Sequence, residues 1–362
     1  MTHEQRMHQA LDAAKHGTGT VNPNPLVGAA IVKEGKLLAL GHHAIYGGPH
    51  AERAALAACT DDPRGAVMYV TLEPCAHQGK TPPCTEAIIA SGISTVIIGA
   101  KDPNPKAAGG AEILRKHGIT VIEGILEAEC KKQNAVFFHY TQNKTPYTVL
   151  KYAMTADGKI AAATGASRWI TNESAREQVH RTRGALSAIL VGIGTVLADD
   201  PLLTCRLPNS RNPLRVICDS KLAIPLNSQI VATAKDIPTW IACHSAEPDR
   251  ARRLEDRGCR ILPLPAPDGR VDLTKLMETL HAERIDSLLA EGGGELNYSL
   301  LEAGLVQKLQ IYLAPKLFGG RTAKGPVGGK GVDFPHQAFL LDTPTVTPIG
   351  DNLLLEYHIQ GR

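Results

Sequence analysis

Three residues of the types that bind zinc stand close to a carboxylate in the first quarter of the chain. His50 and Glu52 flank a single alanine, and Cys75 and Cys84 follow, nine residues apart. One imidazole and two thiolates make three protein ligands, the number that a catalytic zinc keeps when its fourth position is left for water. A carboxylate beside the metal can carry the protons of a hydrolysis. The residue types therefore predict a hydrolytic zinc site.

Helix starts must position these four residues. Residues two apart do not share a face of a continuing helix, so His50 and Glu52 can flank one metal only where a helix begins. Pro49 suits a first turn, and good helix formers follow it. Cys84 likewise comes after two prolines and opens a helical run that Gly92 ends. Two helix N-termini aimed at the site would favour the thiolate forms of both cysteines.

A closed zinc site that only braces the fold is the alternative. Such a site needs a fourth cysteine or histidine at ligand spacing, and His77 is the nearest candidate. Glu52 argues against a closed site, because a structural zinc needs no acid or base beside it. We therefore expect the open, catalytic form.

Length and composition indicate a two-domain enzyme. The chain has 362 residues, which suits two domains of roughly 150 residues or slightly more. It is 43% hydrophobic and 21% charged, and its net charge of +3 argues against a protein that coats nucleic acid. No apolar run approaches the roughly 18 residues that span a bilayer, and the N-terminus has no signal-peptide apolar region. We expect a cytoplasmic location and reduced thiols at the six other cysteines.

The first half alternates between predicted helices and strands. A helix is predicted over residues 4–16, and strands over residues 26–32, 36–40, 67–72 and 95–100. The zinc-ligand segments follow strands and begin helices, the edge at which α/β sheets bind ligands. Asn24, in a rigid Asn-Pro-Asn-Pro loop, either reaches that edge as an amide ligand or serves only as a turn residue. Asp102 and Asn104 lie in the loop after the last of these strands. They too either contact a ligand at that edge or serve only as turn residues.

The second half is predicted to form its own α/β domain. A polar stretch with a breaker, between Thr141 and Pro146, predicts the boundary. Strands are predicted over residues 146–153, 188–191, 214–218, 239–242 and 287–290, with helices between several of them. Two strands run into glycine-bearing loops, Gly192–Thr195 and Glu291–Gly294, and neither loop has the G-x-G-x-x-G spacing of a Rossmann unit. The second loop precedes a predicted helix over residues 296–303. Its backbone N–H groups and the helix dipole are suited to binding a phosphate.

The zinc motif resembles that of the zinc-dependent nucleoside and nucleobase deaminases. Their signature is a His-x-Glu triplet followed by Pro-Cys and a second cysteine, and His50, Glu52, Cys75 and Cys84 match it here. The spacing of nine between the cysteines, where the common signature has three, is the form of the bifunctional riboflavin-biosynthesis deaminase/reductases. The Asn-Pro-Asn-Pro and Asp-Pro-Asn-Pro segments match the same family.

This resemblance implies a cytidine-deaminase-like α/β/α domain over residues 1–144, which deaminates 2,5-diamino-6-ribosylamino-4(3H)-pyrimidinone 5′-phosphate. Zinc on the three ligands would activate water, and Glu52 would move a proton from that water to the departing ammonia. The family correspondence also implies a group of residues around the substrate: Asn24, His42, His77, Lys80, Asp102 and Asn104. A solvated loop position is the alternative for Lys80.

The second half resembles the reductase domain of the same family. The resemblance implies a dihydrofolate-reductase-like α/β domain over residues 145–362 that uses NADPH to reduce the ribosyl side chain to ribityl. The residues implied to hold NADPH are Ala153, Trp169, Thr195, Asp199, Ser220, Gly293, Gly294, Glu295, Leu296, Asn297, Tyr298 and Ser299. Those implied to hold the substrate are Lys151, Ser167, Arg183, Leu203, Arg206 and Glu291.

Some of these residues have a simpler interpretation. Arg183 and Arg206 suit a phosphate, because a guanidinium offers a rigid fork of donors. Arg183 also lies in a charged run, where a helix-surface ion pair would account for it. Trp169 can equally belong to the core. Lys151 lies in a predicted strand, from which it can polarise the sugar.

Two rival functions remain. One is a deaminase whose second domain only binds or dimerises, and hydride transfer from NADPH separates it from the bifunctional enzyme. The other is a zinc-stabilised RNA-binding protein, which the absence of a basic, aromatic-interleaved pattern disfavours. We expect a homo-oligomeric enzyme with Zn²⁺ and NADPH as cofactors. It should act on small pyrimidine ribosyl phosphates and bind neither nucleic acid nor membrane.

Overall fold

The computed structural model describes residues 1–78 and 82–360. It divides into two compact units, Met1–Lys144 and Thr145–Arg362. Within the described residues, no helix has the length and apolar character needed to cross a membrane.

A five-stranded sheet organises the first unit. Its strands are β1 (Gly28–Lys33), β2 (Lys36–His42), β3 (Val67–Leu72), β4 (Thr95–Ala100) and β5 (Thr120–Glu123). The helices are α1 (His3–Ala14), α2 (Ala51–Ala58), α3 (Cys84–Ser91), α4 (Gly110–Lys116), α5 (Glu127–Gln133) and α6 (Ala135–Asn143). The strand order is β2-β1-β3-β4-β5. Strand β1 is antiparallel to both neighbours, and β3, β4 and β5 are parallel.

Two helices lie on opposite faces of this sheet at its antiparallel edge. A Cβ at Gly28 would lie 1.9 Å from the carbonyl oxygen of Ala10 in α1, and one at Gly41 would lie 2.2 Å from the nitrogen of Ala55 in α2. Gly28 pairs with His42 across the two strands, so both point to the α1 face. Adjacent strand residues point to opposite faces, so Gly41 points to the α2 face. Only glycine leaves room for helices at these distances.

The central strands of the first unit are buried on both faces. Met68, Val70, Ile97 and Ile98 have no exposed surface. Parallel strands covered on both faces form continuous apolar runs rather than alternating ones. This is why the sequence predicts β3 and β4 to the residue.

A nine-stranded sheet organises the second unit. Its strands are β6 (Tyr147–Thr155), β7 (Ala188–Gly192), β8 (Leu214–Cys218), β9 (Thr239–Cys243), β10 (Cys259–Pro263), β11 (Ser287–Ala290), β12 (Lys308–Ala314), β13 (Thr345–Ile349) and β14 (Asn352–His358). The helices are α7 (Glu173–Ala185), α8 (Ile193–Asp199), α9 (Gln229–Ala232), α10 (Pro248–Glu255), α11 (Leu273–Ala282) and α12 (Gly294–Glu302).

The strand order of this sheet is β10-β9-β8-β7-β11-β6-β12-β14-β13. The run from β10 to β12 is parallel, and β14 and β13 add antiparallel at the β12 edge. Ile189 and Val191 of β7 belong to one hydrophobic cluster and Leu190 to another, so a core lies on each face. The carboxyl ends of β7, β11 and β6 are neighbours, and the loops that leave them share one edge of the sheet.

The elements differ from the sequence expectations in two ways. Helix α6 continues to Asn143, where the sequence predicts a polar connection from Thr141 onward. Strands β5, β10, β12, β13 and β14 are also present, although the sequence patterns do not predict them. Strand β13 is exposed over most of its length, so no apolar run marks it. Every strand that the sequence does predict is present.

Candidate active sites

The first site is a cluster of three zinc-binding side chains at the starts of two helices. His50 caps the N-terminus of α2, and Cys84 is the first residue of α3, as predicted. The Nδ1 atom of His50 lies 3.5 Å from the Sγ atom of Cys75 and 3.4 Å from that of Cys84. With ordinary zinc bond lengths, a tetrahedral site separates nitrogen and sulfur ligands by about 3.6 Å. The donor types and their spacing therefore fit zinc.

Hydrogen bonds favour the thiolate form of Cys75. The Cys84 thiol is the main cause, and together with His50 it lowers the pKa of Cys75, although burial acts in the opposite direction. The backbone N–H of Cys84 also donates to the Cys75 sulfur at 3.3 Å. This N–H is free to do so because the first N–H groups of a helix have no partner within the helix. The start of α3 thus favours a thiolate at Cys75, as the sequence predicts, whereas the hydrogen bond to Cys75 and burial raise the pKa of Cys84.

Glu52 is buried beside this cluster, in the first turn of α2. Glu52 is only 3% exposed to solvent. Burial is the main reason that the pKa of Glu52 rises to about 7, and the negative charge of Cys75 adds to the rise. A carboxyl with a pKa near 7 can take up and release a proton at neutral pH. Glu52 therefore has the properties of an acid/base group.

The cluster has an open side. Across residues 1–78 and 82–360, the metal-binding group consists of His50, Cys75 and Cys84, and His77 is not part of it. His77 instead lines the adjoining pocket. Three ligands beside a pocket are the arrangement of a catalytic zinc rather than of a closed, structural one.

That pocket has a volume of about 240 Å³ and reaches the zinc cluster. Its lining includes most of the residues expected around the deaminase substrate: Asn24, His77, Asp102 and Asn104, with His50, Glu52 and Cys75. Lys80, which was expected there too, lies outside the described residues. The loops that carry Asn24 and Asp102 are distant in sequence and meet here.

His43, rather than the expected His42, lines this pocket. His42 points to the α1 face of the sheet, where its ring lies 5.3 Å from that of His16. His43 is buried, and its ring lies 5.3 Å from that of His50. The two residues are adjacent at the end of an extended strand, so their side chains point to opposite sides. The structure therefore does not bring His42 together with the other expected residues.

His43 orients Asn24. The Nδ1 atom of His43 lies 2.9 Å from the carbonyl oxygen of Pro49, which can only accept a hydrogen bond. Nδ1 must therefore carry the hydrogen, and Nε2 must be the acceptor. The Nδ2 atom of Asn24 donates to that Nε2 at 3.0 Å. The Asn24 oxygen is then left as an acceptor for a ligand in the pocket.

Glu73 fixes the loop that carries Asp102 and Asn104. Its carboxylate accepts hydrogen bonds from the backbone N–H groups of Asp102, Gly109 and Ala111 at 3.0–3.3 Å. Burial raises the pKa of Asp102 to about 6, and the nearby charge of Glu73 contributes. Glu73 was not predicted from the sequence. Its position next to the Pro-Cys motif was the available signal, but a buried acceptor of three N–H groups cannot be inferred from adjacency.

The second site is a cavity of about 570 Å³ in the second unit, at the carboxyl ends of its central strands. All the residues expected to hold the reductase substrate line it: Lys151, Ser167, Arg183, Leu203, Arg206 and Glu291. Five of the residues expected to hold NADPH also line it: Ala153, Trp169, Thr195, Asp199 and Gly293. Residues from three loops, one strand and two helices thus meet in one cavity.

A buried ion cluster lies on one wall of this cavity. The Glu291 carboxylate accepts from Nε and Nη2 of Arg183 at 2.7 and 3.0 Å, and Lys151 Nζ lies 3.5 Å from it. The remaining Nη1 of Arg183 donates to the carbonyl oxygen of Thr204. Burial alone would raise the pKa of Glu291, but the charges of Arg183 and Lys151 lower it to about 2. Arg183 is therefore held in a buried pair, not in the helix-surface pair considered from its sequence context.

Trp169 and Arg206 present open surfaces to the same cavity. Trp169 is 57% exposed, which excludes the core position considered above. The Arg176 guanidinium covers one face of its ring, 4.5 Å from the centroid. Arg206 donates through Nε to His180 at 3.1 Å. Among the described residues, no acceptor lies within hydrogen-bond distance of the Arg206 Nη atoms, so this edge is available to a ligand.

Two helix N-termini also face this edge of the sheet. Gly192 caps α8 and Gly293 caps α12, each directly after a parallel strand. A Cβ at Gly293 would lie 3.9 Å from the Thr195 hydroxyl, so the two glycine loops are adjacent. Unpaired N–H groups and the helix dipole at such positions favour phosphate. The N-termini of α8 and α12 therefore lie close together at this edge of the sheet, and the backbone N–H groups of both can bind an anion.

Some residues expected to hold NADPH have other partners. The buried Asn297 donates to the carbonyl oxygen of Pro326, and the Tyr298 hydroxyl donates to that of Gly331. The backbone N–H of Asn297 also donates, to the carbonyl oxygen of Gly293, so Asn297 has no free donor for an anion. Ser220 is not in the cavity lining, and its carbonyl oxygen accepts from the N–H groups of the loop after β9.

Two family models match successive parts of the chain. Residues 1–100 match the cytidine and deoxycytidylate deaminase zinc-binding region. Residues 146–353 match the RibD C-terminal domain. The fold and the sites thus define a fused enzyme, in which a zinc-binding deaminase domain is followed by a reductase domain.

Curated relatives cover nearly the whole chain. The chain is 50% identical to the riboflavin biosynthesis protein RibD of Actinobacillus pleuropneumoniae over 358 residues, which are 99% of this chain and 95% of the relative. It is 39% identical to RibD of Escherichia coli K12 over 88% of this chain and 89% of the relative. The chain belongs to the RibD family of bifunctional deaminase/reductases in riboflavin biosynthesis.

Solved structures support the same assignment. A diaminohydroxyphosphoribosylaminopyrimidine deaminase/5-amino-6-(5-phosphoribosylamino)uracil reductase from Thermotoga maritima matches with a TM-score of 0.87, 39% identity and 99% coverage of both chains. RibD of Acinetobacter baumannii matches with a TM-score of 0.88, 34% identity and the same coverage. The predicted fold class, a deaminase-like domain followed by a reductase-like domain, is confirmed. So are the two cofactors, zinc and NADPH, that the family uses.

Proposed function

We propose that residues 1–144 deaminate a diamino-ribosylamino-pyrimidinone 5′-phosphate and that residues 145–362 reduce the ribosyl group of the deaminated product with NADPH. The observation that carries the first step is the placement of a buried carboxyl, Glu52, beside three zinc ligands on a pocket. The second step is supported by a separate cavity that combines an ion cluster with two phosphate-binding helix starts.

In the first step, His50, Cys75 and Cys84 would hold the zinc. Zinc bound there would supply a Lewis acid that lowers the pKa of the water that attacks the amino-bearing carbon. Glu52 accepts the proton of that water and donates it to the departing ammonia, and its pKa of about 7 suits both transfers.

The pocket is suited to a pyrimidine that carries several N–H groups. Asn24 presents its oxygen to the pocket because its amide nitrogen is bound to His43. Asp102 also lines the pocket, and burial raises its pKa to about 6. These two acceptors match a diamino-pyrimidinone, whose ring edge offers mainly hydrogen-bond donors.

In the second step, NADPH supplies the hydride. The N-termini of α8 and α12 are placed to bind its phosphates, and Trp169 offers an exposed ring for stacking. Lys151 lies 3.5 Å from Glu291 on the cavity wall and is placed to polarise the sugar. Arg183 has its donors occupied by Glu291 and Thr204, whereas Arg206 has a free Nη edge. We therefore assign the substrate phosphate to Arg206.

A coupled assay tests the proposed function. The purified protein is given the diamino-ribosylamino-pyrimidinone 5′-phosphate, and ammonia release and NADPH oxidation are measured in the same sample. We expect ammonia without NADPH, and NADPH oxidation only after deamination has produced the second substrate. Removal of zinc with a chelator should stop both, and addition of the deaminated product should restore NADPH oxidation alone. Ammonia release with no NADPH oxidation from either compound would favour a deaminase with an inactive second unit.

Asp199→Ala is expected to weaken the use of NADPH and leave ammonia release intact. Asp199 lines the second cavity, its Oδ1 accepts from the Ser167 hydroxyl and its carbonyl oxygen accepts from Arg168. Loss of the carboxylate should raise KM for NADPH about tenfold, the equivalent of one or two hydrogen bonds. Asp249→Ala, at an exposed ion pair of the same unit, is the matched control and should change neither activity. A parallel fall of both activities would contradict the division into two sites.

The assembly and location are part of the proposal. The family resemblance supports a homo-oligomeric enzyme of the cytoplasm. Sedimentation of the purified protein at several concentrations tests the first of these, and cell fractionation tests the second.

A further inference from the structure

Helix α7 places a row of basic side chains along the second cavity. Arg176, His180 and Arg183 are spaced by four and three residues, which puts them on one face of the helix, and all three line the cavity. Arg183 binds Glu291, and Arg176 stacks on Trp169. His180, between them, is 9% exposed and has no role in the function proposed above.

His180 contacts the arginine to which we assign the substrate phosphate. The Nε atom of Arg206 lies 3.1 Å from His180 Nε2, and the Arg206 backbone nitrogen lies 3.3 Å from His180 Nδ1. Both Arg206 groups can only donate, and a neutral imidazole has one acceptor nitrogen. The shorter, charge-assisted contact takes that acceptor, so Nε2 carries the lone pair and Nδ1 carries the hydrogen. The Thr204 backbone is placed to accept from the ring.

The surroundings of His180 keep the ring neutral. Burial is the main reason that its pKa is lowered, and the charges of Arg183 on the same helix and Arg206 on the facing loop lower it further. Glu291, after β11, and the Thr204 backbone act in the opposite direction. The Cys205 thiol, also on the facing loop, donates to the His180 carbonyl oxygen. A protonated ring would lose its acceptor and place a second positive charge against the Arg206 guanidinium.

We propose that His180 is a positioning residue, whose neutral imidazole holds the Nε edge of Arg206 so that the free Nη edge faces the substrate phosphate. The inference rests on the proposed function, because it takes Arg206 as the phosphate ligand. An arginine side chain has many rotamers, and ordering it before the substrate arrives reduces the entropy that binding must overcome. His180 therefore acts on substrate affinity and not on hydride transfer.

His180→Ala and His180→Gln test this inference through NADPH oxidation with the deaminated pyrimidine phosphate as substrate. His180→Ala should raise KM for this substrate about tenfold and leave kcat within about twofold, the size expected for one charge-assisted hydrogen bond. His180→Gln places an amide oxygen near the position of Nε2 and should restore most of the affinity. The same substrate without its phosphate should show no dependence on His180. Equal KM effects with and without the phosphate would overturn the inference and leave His180 a purely structural residue.

A pH profile provides a second readout. The wild-type KM should rise as the pH falls below 6.5, the ordinary pKa of histidine, because the pKa of His180 is lowered from that value and protonation of the ring releases Arg206. The profile of His180→Gln, which cannot titrate, should be flatter, and this comparison removes the titration of the phosphate itself. Identical profiles would overturn the inference even if His180→Ala proves too unstable to measure.

Arg206→Ala separates this inference from the proposed function. If Arg206→Ala leaves KM for the phosphorylated substrate unchanged, the phosphate assignment fails, and the inference falls with it. If Arg206→Ala raises KM and His180→Ala does not, only the inference fails. Support requires both effects, and His180→Ala should then add little in the Arg206→Ala background.

Discussion

Glu52→Gln is expected to abolish ammonia release while about one zinc per chain stays bound. The amide has the shape of the carboxyl but cannot take up the proton of water or deliver one to ammonia. General acid/base groups contribute about 10²–10⁴-fold to a rate, and Glu52 serves in both transfers, so we expect a loss of at least about 10³-fold. Zinc should remain, because its ligands are His50, Cys75 and Cys84. Ammonia release and metal content, measured on the same preparation, check both halves of this expectation.

Glu86→Gln is the matched control for this experiment. Glu86 lies two residues after Cys84 in the first turn of α3, as Glu52 lies two residues after His50 in the first turn of α2. Glu86 is exposed, whereas Glu52 is buried beside the zinc cluster. Its substitution should change neither ammonia release nor zinc content. Ammonia release by Glu52→Gln within about tenfold of wild type would rule out the acid/base role.

Glu291→Gln is expected to remove NADPH oxidation and to destabilise the second unit. Glu291 neutralises Arg183 and Lys151, and the side chains of Glu291 and Arg183 are only 11% and 14% exposed. The substitution leaves two cations with little solvent and no counter-charge, which typically costs about 3–5 kcal/mol. It also frees Lys151 from its position on the cavity wall. We expect NADPH oxidation to fall by a factor of roughly 100 or more, with ammonia release preserved.

Tryptophan fluorescence reports this unit selectively. The only two tryptophans of the chain, Trp169 and Trp240, both lie in the second unit. A urea titration followed by fluorescence therefore gives the free energy of unfolding of that unit. Glu177→Gln, at an exposed i,i+4 pair with Arg181, is the control and should cost less than about 0.5 kcal/mol. Equal losses for the two variants would contradict a structural role for the buried cluster.

The same titration has a defined dependence on pH. The pKa of Glu291 in the folded protein is about 2, below its ordinary value of 4.5. A carboxyl with a lowered pKa stabilises the fold above its ordinary value, and that stabilisation is lost as the pH falls through the folded value. The difference in stability between wild type and Glu291→Gln should therefore be full at neutral pH and shrink between pH 4.5 and 2. A difference that stays constant over this range would assign the effect to packing instead of charge.

Arg183 and Arg206, in the second cavity, show that residue type alone does not predict which arginine is free to bind phosphate. Both were predicted to bind phosphate because both carry a guanidinium. The structure gives Arg183 three acceptors and leaves the Nη edge of Arg206 open. The difference depends on Glu291, which is 108 residues from Arg183 in the chain. No local pattern could have revealed which arginine is already paired.

His42 and His43 give a second example, because the sequence does not show which of these two adjacent histidines faces the pocket. The resemblance to the family places a histidine in the pocket at the end of β2, and the chain has two in succession. The sheet decides between them, because α1 covers one face and the zinc cluster lies beyond the other. The pairing of Gly28 with His42 assigns His42 to the α1 face. That register is a property of two strands together, not of either sequence alone.

The sequence by itself determined the chemistry of the first site and the order of the two domains. His50, Glu52 and Cys84 lie at helix starts, and the signals for those starts are local: a proline and a run of helix formers. Buried parallel strands were also recognised, because each is a continuous apolar run. These features depend on neighbours within a few residues, so spacing alone can reveal them.

Only the tertiary structure decided which polar groups are already satisfied and which are free to bind a ligand. Glu73 holds a loop, His43 orients Asn24, His180 holds Arg206, and Glu291 neutralises Arg183. Each of these pairs joins segments that are distant in the chain or side chains whose direction depends on strand register. Hydrogen bonding in a folded protein is settled by the packing of such segments. The sequence therefore predicted the zinc chemistry, and the fold determined which polar groups are free to bind the substrate.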